Sequence, residues 1–203
     1  MLITNARTKL WTRQEFHRLY ESGFFGPEDR VELIEGELVL MTPPGPQHTD
    51  PIKYGNKTLV RLYGETHDIA VQLPLDLGQI NEPQPDFALI PVNTVPRGQI
   101  ATTADLVIEV SYSSLAFDKK EKLALYAKSG IPEYWVLDTV NRKAEVYRKP
   151  EQRTDPSEGF GYADHQVFYP EQSIQPLRIP GLPCPLIDFF GATDATEATS
   201  AMD

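Results

Sequence analysis

The sequence predicts a mixed α/β (α+β) fold, with a central mixed β-sheet flanked by helices. Three observations lead there. Element signals run in the order helix, hairpin, helix, several strands, helix, strands, which suits a sheet covered by helices. Residues 106–111 and 133–138 are short, mostly apolar stretches rich in Val, Ile, Leu, Tyr and Trp, with a helical stretch between them. Prolines fall in clusters (Pro43, Pro44 and Pro46, then Pro83 and Pro85, then Pro180, Pro183 and Pro185) that break the chain between elements.

The first helix is capped by Thr12, and Glu15 three residues on completes a capping box. Phe16, Leu19 and Tyr20 form its apolar stripe, and Gly23 stops it. Residues 31–41 alternate apolar with acidic side chains around Gly36, which predicts an N-terminal hairpin. Regular structure is not expected over 43–46. A second helix is expected over 50–65, with Asp50 as cap and Pro51 in its first position. Gly55 weakens that helix by roughly 1 kcal/mol relative to Ala. Strands are expected over 69–77, 86–90 and 106–111, and a third helix over 118–129, ended by Gly130 and Pro132. Residues 133–138 read as a strand, with 144–147 and 167–169 pairing beside it. The polar stretch 149–164 is expected to be a mobile loop.

Composition narrows the function. Hydrophobic residues make up 40% and charged residues 24% of 203, enough for a core and too apolar for global disorder. One domain is expected over 1–191, followed by a small, polar, disordered tail over 192–203. Asp and Glu outnumber Lys and Arg, 29 to 19, for a net charge of −10, so no global field draws in nucleic acid. Lys119, Lys120, Lys122 and Lys128 form one local basic cluster, offset by Asp118 and Glu121. No apolar run is long enough to cross a bilayer, and the first 11 residues lack a signal-peptide core. Cys184, the only cysteine, excludes an intrachain disulfide and a cysteine zinc site. A soluble protein of a reducing compartment, the cytoplasm, with no membrane partner, is therefore expected. No glycine-rich loop points to a nucleotide cofactor.

Two carboxylates carry the candidate chemistry. Asp86 opens the 86–90 strand. In the 106–111 strand, alternation sets Leu106, Ile108 and Val110 on one face and Val107, Glu109 and Ser111 on the other. Glu109 is thus a charge in an apolar strand, which requires a cation such as Lys122 or Arg30, or a metal. Carboxylates on neighbouring strands can together hold a hard divalent cation. Asp118, Lys122 and Tyr126 recur every four residues, along one helix face. A lysine there can stabilise charge on a phosphate oxygen or help to activate water.

The stretch Val-Glu-Leu-Ile-Glu-Gly-Glu-Leu-Val (31–39), His48, Pro85-Asp86, Val107-Ile-Glu-Val-Ser111, Asp118 with Lys122 and Tyr126, and Gly130-Ile-Pro-Glu-Tyr-Trp-Val-Leu-Asp138 together resemble the Uma-two family of restriction-endonuclease-like proteins, within the PD-(D/E)XK nuclease superfamily. The resemblance covers roughly residues 12–190. It implies a restriction-endonuclease-like fold, with Asp86, Glu109 and the Val110 carbonyl holding Mg²⁺ or Mn²⁺. The superfamily places a lysine two residues after the second acid, where this chain has Ser111. The resemblance assigns that role to Lys122 on the following helix. It also implies an additional acid from the hairpin, with Glu32 preferred over Glu35 and Glu37. Tyr126, Ser111 and His48 are the candidate substrate contacts, His48 near the site rather than a ligand.

The function so implied is metal-dependent hydrolysis of DNA phosphodiester bonds by Asp86, Glu109, Lys122 and Glu32, in a homodimer that cuts two strands. The alternatives are an inactive structural or interaction member of the same fold, favoured by the acidic net charge, and a hydrolase of another phosphorylated substrate. Glycoside hydrolysis also uses two carboxylates but lacks an aromatic platform near them.

Overall fold

The computed structural model describes residues 8–41, 45–155 and 159–191. Helix α1 (Arg13–Glu21) starts at the capping box: the Glu15 N–H donates to Thr12 Oγ1 at 3.3 Å, and the Thr12 N–H donates to the Glu15 carboxylate at 3.0 Å. Strands β1 (Arg30–Ile34) and β2 (Glu37–Met41) form the expected hairpin. Its two-residue turn, Glu35-Gly36, has φ of 48° and 80°, the primed geometry that matches strand twist.

Helix α2 (Pro46–Tyr63) begins earlier than expected, with Gly45 as N-cap. Pro46, not Pro51, takes the first-turn position where a missing N–H costs nothing. Pro51 lies inside the helix, where one N–H is forfeited. Regular structure thus reaches Pro46, while Pro43 and Pro44 lie outside the described residues.

Six strands form the central sheet in the order β3 (His67–Val71), β4 (Phe87–Pro91), β5 (Leu106–Ser111), β6 (Glu133–Asp138), β7 (Lys143–Gln152) and β8 (Phe160–Phe168). Neighbours pair antiparallel except β5 and β6, which are parallel. β3 stops at Val71, short of residue 77, because Gln72 turns the chain with φ of 52°. The larger departure is at 149–164. Instead of a mobile loop, most of it forms the ends of β7 and β8, with Pro150 opposite Tyr162 and Gln152 opposite Phe160. Its polarity reflects a ribbon exposed over much of its length, where no core selects for apolar side chains.

The parallel crossover from β5 to β6 is one continuous helical run: α3 (Leu115–Phe117), a π-helical turn (Asp118–Lys122) and α4 (Leu123–Lys128). It starts at Leu115, before the expected Asp118. Short strands β9 (Ser173–Ile174) and β10 (Cys184–Pro185) pair, and α5 (Ile187–Phe190) follows. The core lies on both faces of the sheet. Leu106, Ile108 and Val110 pack with Leu59 and Tyr63 of α2 and with Phe189. Val107, Tyr134 and Val136 pack with Tyr126, Ala127 and Ile131 on the opposite face. The expected alternation along β5 is therefore observed. The 192–203 tail lies outside the described residues. Among the described residues, no helix is long and apolar enough to cross a membrane.

Candidate active site

The register of β4 on β5 pairs Phe87 with Ile108, so Asp86, one residue before β4, arrives beside Glu109. Both carboxylates line a cleft of about 370 Å³, together with Glu32, His48, Asp118 and Lys122. Four parts of the chain meet there: hairpin strand β1, the first turn of α2, the sheet ends at Asp86 and Glu109, and the π turn. A π turn is a local departure from α-helix that often marks functional sites. Its two ends, Asp118 and Lys122, are both buried.

Lys122 is the hub. It is 1% exposed, and its ammonium donates to Glu109 Oε1 at 2.9 Å and to Glu32 Oε1 at 3.2 Å. Burial disfavours the charged lysine, but Glu109, Glu32 and Asp118 outweigh it and push the ammonium's pKa up. These neighbours favour the charged form of Lys122. Tyr126 OH donates to the same Glu109 oxygen at 2.8 Å. Burial drives the Glu109 carboxyl well above its usual range; Lys122 opposes this, while Asp118, Asp86 and Glu32 reinforce it. Glu32 is raised for the same leading reason, with Lys122 opposing. Its Oε2 is buried without a hydrogen bond, although Lys122 Nζ lies 3.1 Å away.

Asp86 is held differently. Its Oδ2 accepts the Val110 N–H at 2.8 Å and lies 3.1 Å from His48 Nε2, and its Oδ1 accepts from Gln72 Nε2 at 3.1 Å. Burial alone would raise its pKa, but these donors hold the carboxyl below its usual value. Asp118 Oδ2 accepts from Ser111 Oγ and Ser114 Oγ, each at 2.6 Å.

The structure brings together Asp86, Glu109, Lys122, Glu32, Val110 and His48, with His48 on the first turn of α2 rather than in a loop. It separates the three hairpin acids: Glu32 is buried toward Lys122, Glu35 pairs with Lys128 at 3.0 Å, and Glu37 is exposed. Two expected substrate contacts lie elsewhere. Ser111 and Tyr126 are fully buried behind Asp118 and Glu109, so they orient those carboxylates and do not form the cleft wall. The basic cluster is also spent internally: Lys119 pairs with Glu145, Lys120 with Glu121, and Lys128 with Glu35. Gln72 and Tyr112 were not anticipated at the site, and Arg30, expected as a possible counter-ion of Glu109, lines the cleft without an ion pair among the described residues. Strand alternation puts Arg30 on the face of Glu32, and Tyr112 directly follows Ser111, so both left a signal. Gln72 left none, because only the turn after β3 brings it to Asp86.

A divalent cation fits this donor set. Among the described residues, no group of three or more His, Cys, Asp or Glu could enclose a metal alone. Asp86, Glu109 and Val110 nevertheless line one cleft. Two carboxylates and a carbonyl, completed by water or substrate oxygens, are the donors that hard cations accept.

A family model described as "Uma2: Putative restriction endonuclease" matches residues 13–186. Among solved structures, a protein from Anabaena variabilis described as a putative nuclease belonging to DUF820 superposes with a TM-score of 0.65 at 19% identity, covering 88% of this chain and 97% of its own. That likeness shows a shared fold. No curated protein gives a match. The family match spans the hairpin, both strand acids and the π-turn lysine, and the chain belongs to the Uma2 restriction-endonuclease-like family.

Proposed function

We propose that the cleft hydrolyses phosphodiester bonds of DNA, using Mg²⁺ or Mn²⁺ held by Asp86, Glu109 and the Val110 carbonyl. The observation that carries this reading is the convergence of Asp86, Glu109 and the charged Lys122 in one cleft. When bound, the cation would neutralise the phosphate and make water more acidic. The residues themselves supply positioning. Asp86 is fixed by the Val110 N–H and is ready-charged. Tyr126 and Lys122 hold Glu109 by one oxygen. Lys122, kept protonated by Glu109 and Glu32, acts as a cation that orients phosphate or water oxygens and not as a base. Glu32 keeps that ammonium in place.

Calorimetric titration with Mn²⁺, beside Asp86→Asn and Glu109→Gln, tests the site, and cleavage of plasmid and oligonucleotide DNA tests the activity. Metal binding lost in both variants, with cleavage by the wild-type chain alone, is the expected result. Mn²⁺ binding without cleavage of any DNA would make Lys122 a structural counter-ion in an inactive member of the fold, a role its near-complete burial also suits.

A further inference from the structure

The rim of the cleft differs from its floor. Tyr112 begins the loop between β5 and α3, lines the cleft, is 47% exposed, and its side chain makes no hydrogen bond among the described residues. Arg30 shares the rim and, among the described residues, forms no ion pair. Both line the same cleft as carboxylates that are almost completely buried. An uncommitted aromatic ring and an uncommitted guanidinium beside a phosphodiester-hydrolysing floor match the base and phosphate of one nucleotide.

A second observation extends the pattern. Gly45 and His48, at the start of α2, line the cleft, while Pro46 and Gln47 line an adjoining groove that reaches Tyr54. Tyr54 is also 47% exposed, and the ammonium groups of Lys53 and Lys57 lie 5.4 and 5.6 Å from its ring centre. An exposed ring beside two ammonium groups therefore lies on α2, the helix whose first turn lines the cleft. Single strands are bound in this way, by bases stacking on rings with help from nearby cations. Duplex binding relies more on neutralising a row of phosphates, for which a chain of net charge −10 with most lysines paired is poorly equipped. A flexible strand can also lower a phosphate to Asp86 and Glu109 while its bases lie on the rim, whereas a duplex must first unstack.

We propose that the substrate enters as single-stranded DNA, with Tyr112 stacking on a base next to the scissile phosphate, Arg30 holding a flanking phosphate, and the strand continuing along α2 past Tyr54. The inference rests on the phosphodiesterase reading above. Fluorescence anisotropy in EDTA, with a labelled single strand and its blunt duplex, measures binding without cleavage; Mn²⁺ is then added to measure cleavage of each. The wild-type chain is expected to bind the single strand at least about tenfold more tightly, and Tyr112→Ala to weaken single-strand binding and cleavage roughly 5- to 100-fold. Tyr112→Phe keeps the ring and is expected to restore both. Arg30→Gln and Tyr54→Ala should each weaken single-strand binding by a smaller factor. Circular dichroism checks that the exposed substitutions leave the fold intact. If duplex is bound and cut as well as single strand, and Tyr112→Ala changes neither, the single-strand proposal is overturned and the nuclease reading stands. If no DNA is cut under any condition, both fall.

Discussion

Asp86 Oδ2 accepts the backbone N–H of Val110 at 2.8 Å, which ties the acid before β4 to the residue that follows the acid of β5. The two carboxylates are thereby fixed in one frame but differ in charge. Burial raises both, yet His48, Gln72 and Val110 bring Asp86 below its usual range, whereas Glu109 stays well above its own. One is a charged anchor. A bound cation would favour the ionised form of the other, as Lys122 already does.

Asp86→Asn is expected to abolish Mn²⁺ binding and to lower cleavage by at least about 100-fold, with the fold retained. The amide oxygen can still accept the Val110 N–H, whereas Asp86→Ala would leave that buried donor unpaired at a cost of about 1–3 kcal/mol. Asn is therefore the cleaner variant. Calorimetry and thermal melting together check it, and a large fall in melting temperature for Asn would show the carboxylate to be structural.

Metal affinity is expected to rise with pH. A cation bound at Glu109 favours its ionised form, against the burial and neighbouring carboxylates that push its pKa up. Below the raised pKa, affinity should climb by up to about tenfold per pH unit and then level off. Titrations in buffers of different ionisation enthalpy would count the released proton. A flat profile from pH about 5 to 8 would mean that Glu109 is already ionised or is not a ligand.

Lys122→Met is expected to destabilise the metal-free protein by about 3 kcal/mol near neutral pH, because it strands buried carboxylates without their counter-charge. The sign with pH follows from those carboxylates. Glu32, Glu109 and Asp118 are raised by burial, and loss of the ammonium raises them further. Their folded state then binds more protons than the unfolded chain, so stability is present at low pH and is lost as pH rises through the raised values. Urea unfolding should show a smaller loss at about pH 5 than at about pH 8. Equal loss at both would argue that the lysine's packing, not its charge, is what matters.

Tyr126→Phe removes one hydrogen bond to Glu109 and leaves the ring in the core. A buried hydroxyl that only orients Glu109 predicts a kcat lower by about tenfold, with KM nearly unchanged, since one such bond contributes about 1–1.5 kcal/mol. A raised KM with unchanged kcat would instead restore the direct substrate contact expected from the sequence.

How much of this was legible depended on where a residue's neighbours lie. β5 and β6 are buried along their whole length, so composition alone marks their ends. The outer halves of β7 and β8 are polar because they are exposed, and paired strands there look like a loop. In the site, Glu109 and Lys122 are 13 positions apart and joined by one crossover, which made their meeting readable. Glu32 meets Lys122 across 90 positions, and periodicity carries no trace of that distance; only the family resemblance suggested it. Gln72 reaches Asp86 through a left-handed turn that no motif announces.

Gly55 shows the same limit in a single residue. By propensity it weakens α2, and Gly→Ala in a helix should gain roughly 1 kcal/mol. In the fold, a methyl group at position 55 would collide with the ring of Phe189, which is buried and packs edge-on against Phe87. The glycine is the recess that lets α5 dock on α2. Overpacking such a site costs typically 1–3 kcal/mol, enough to reverse the gain. Gly55→Ala is therefore expected to destabilise the protein by about 1–2 kcal/mol in urea unfolding. Adding Phe189→Leu should recover part of that loss, because the smaller side chain opens the recess. A double-mutant cycle would show this as a favourable coupling of at least about 0.5 kcal/mol. Strict additivity would place the cost of Gly55→Ala elsewhere than in the contact with Phe189.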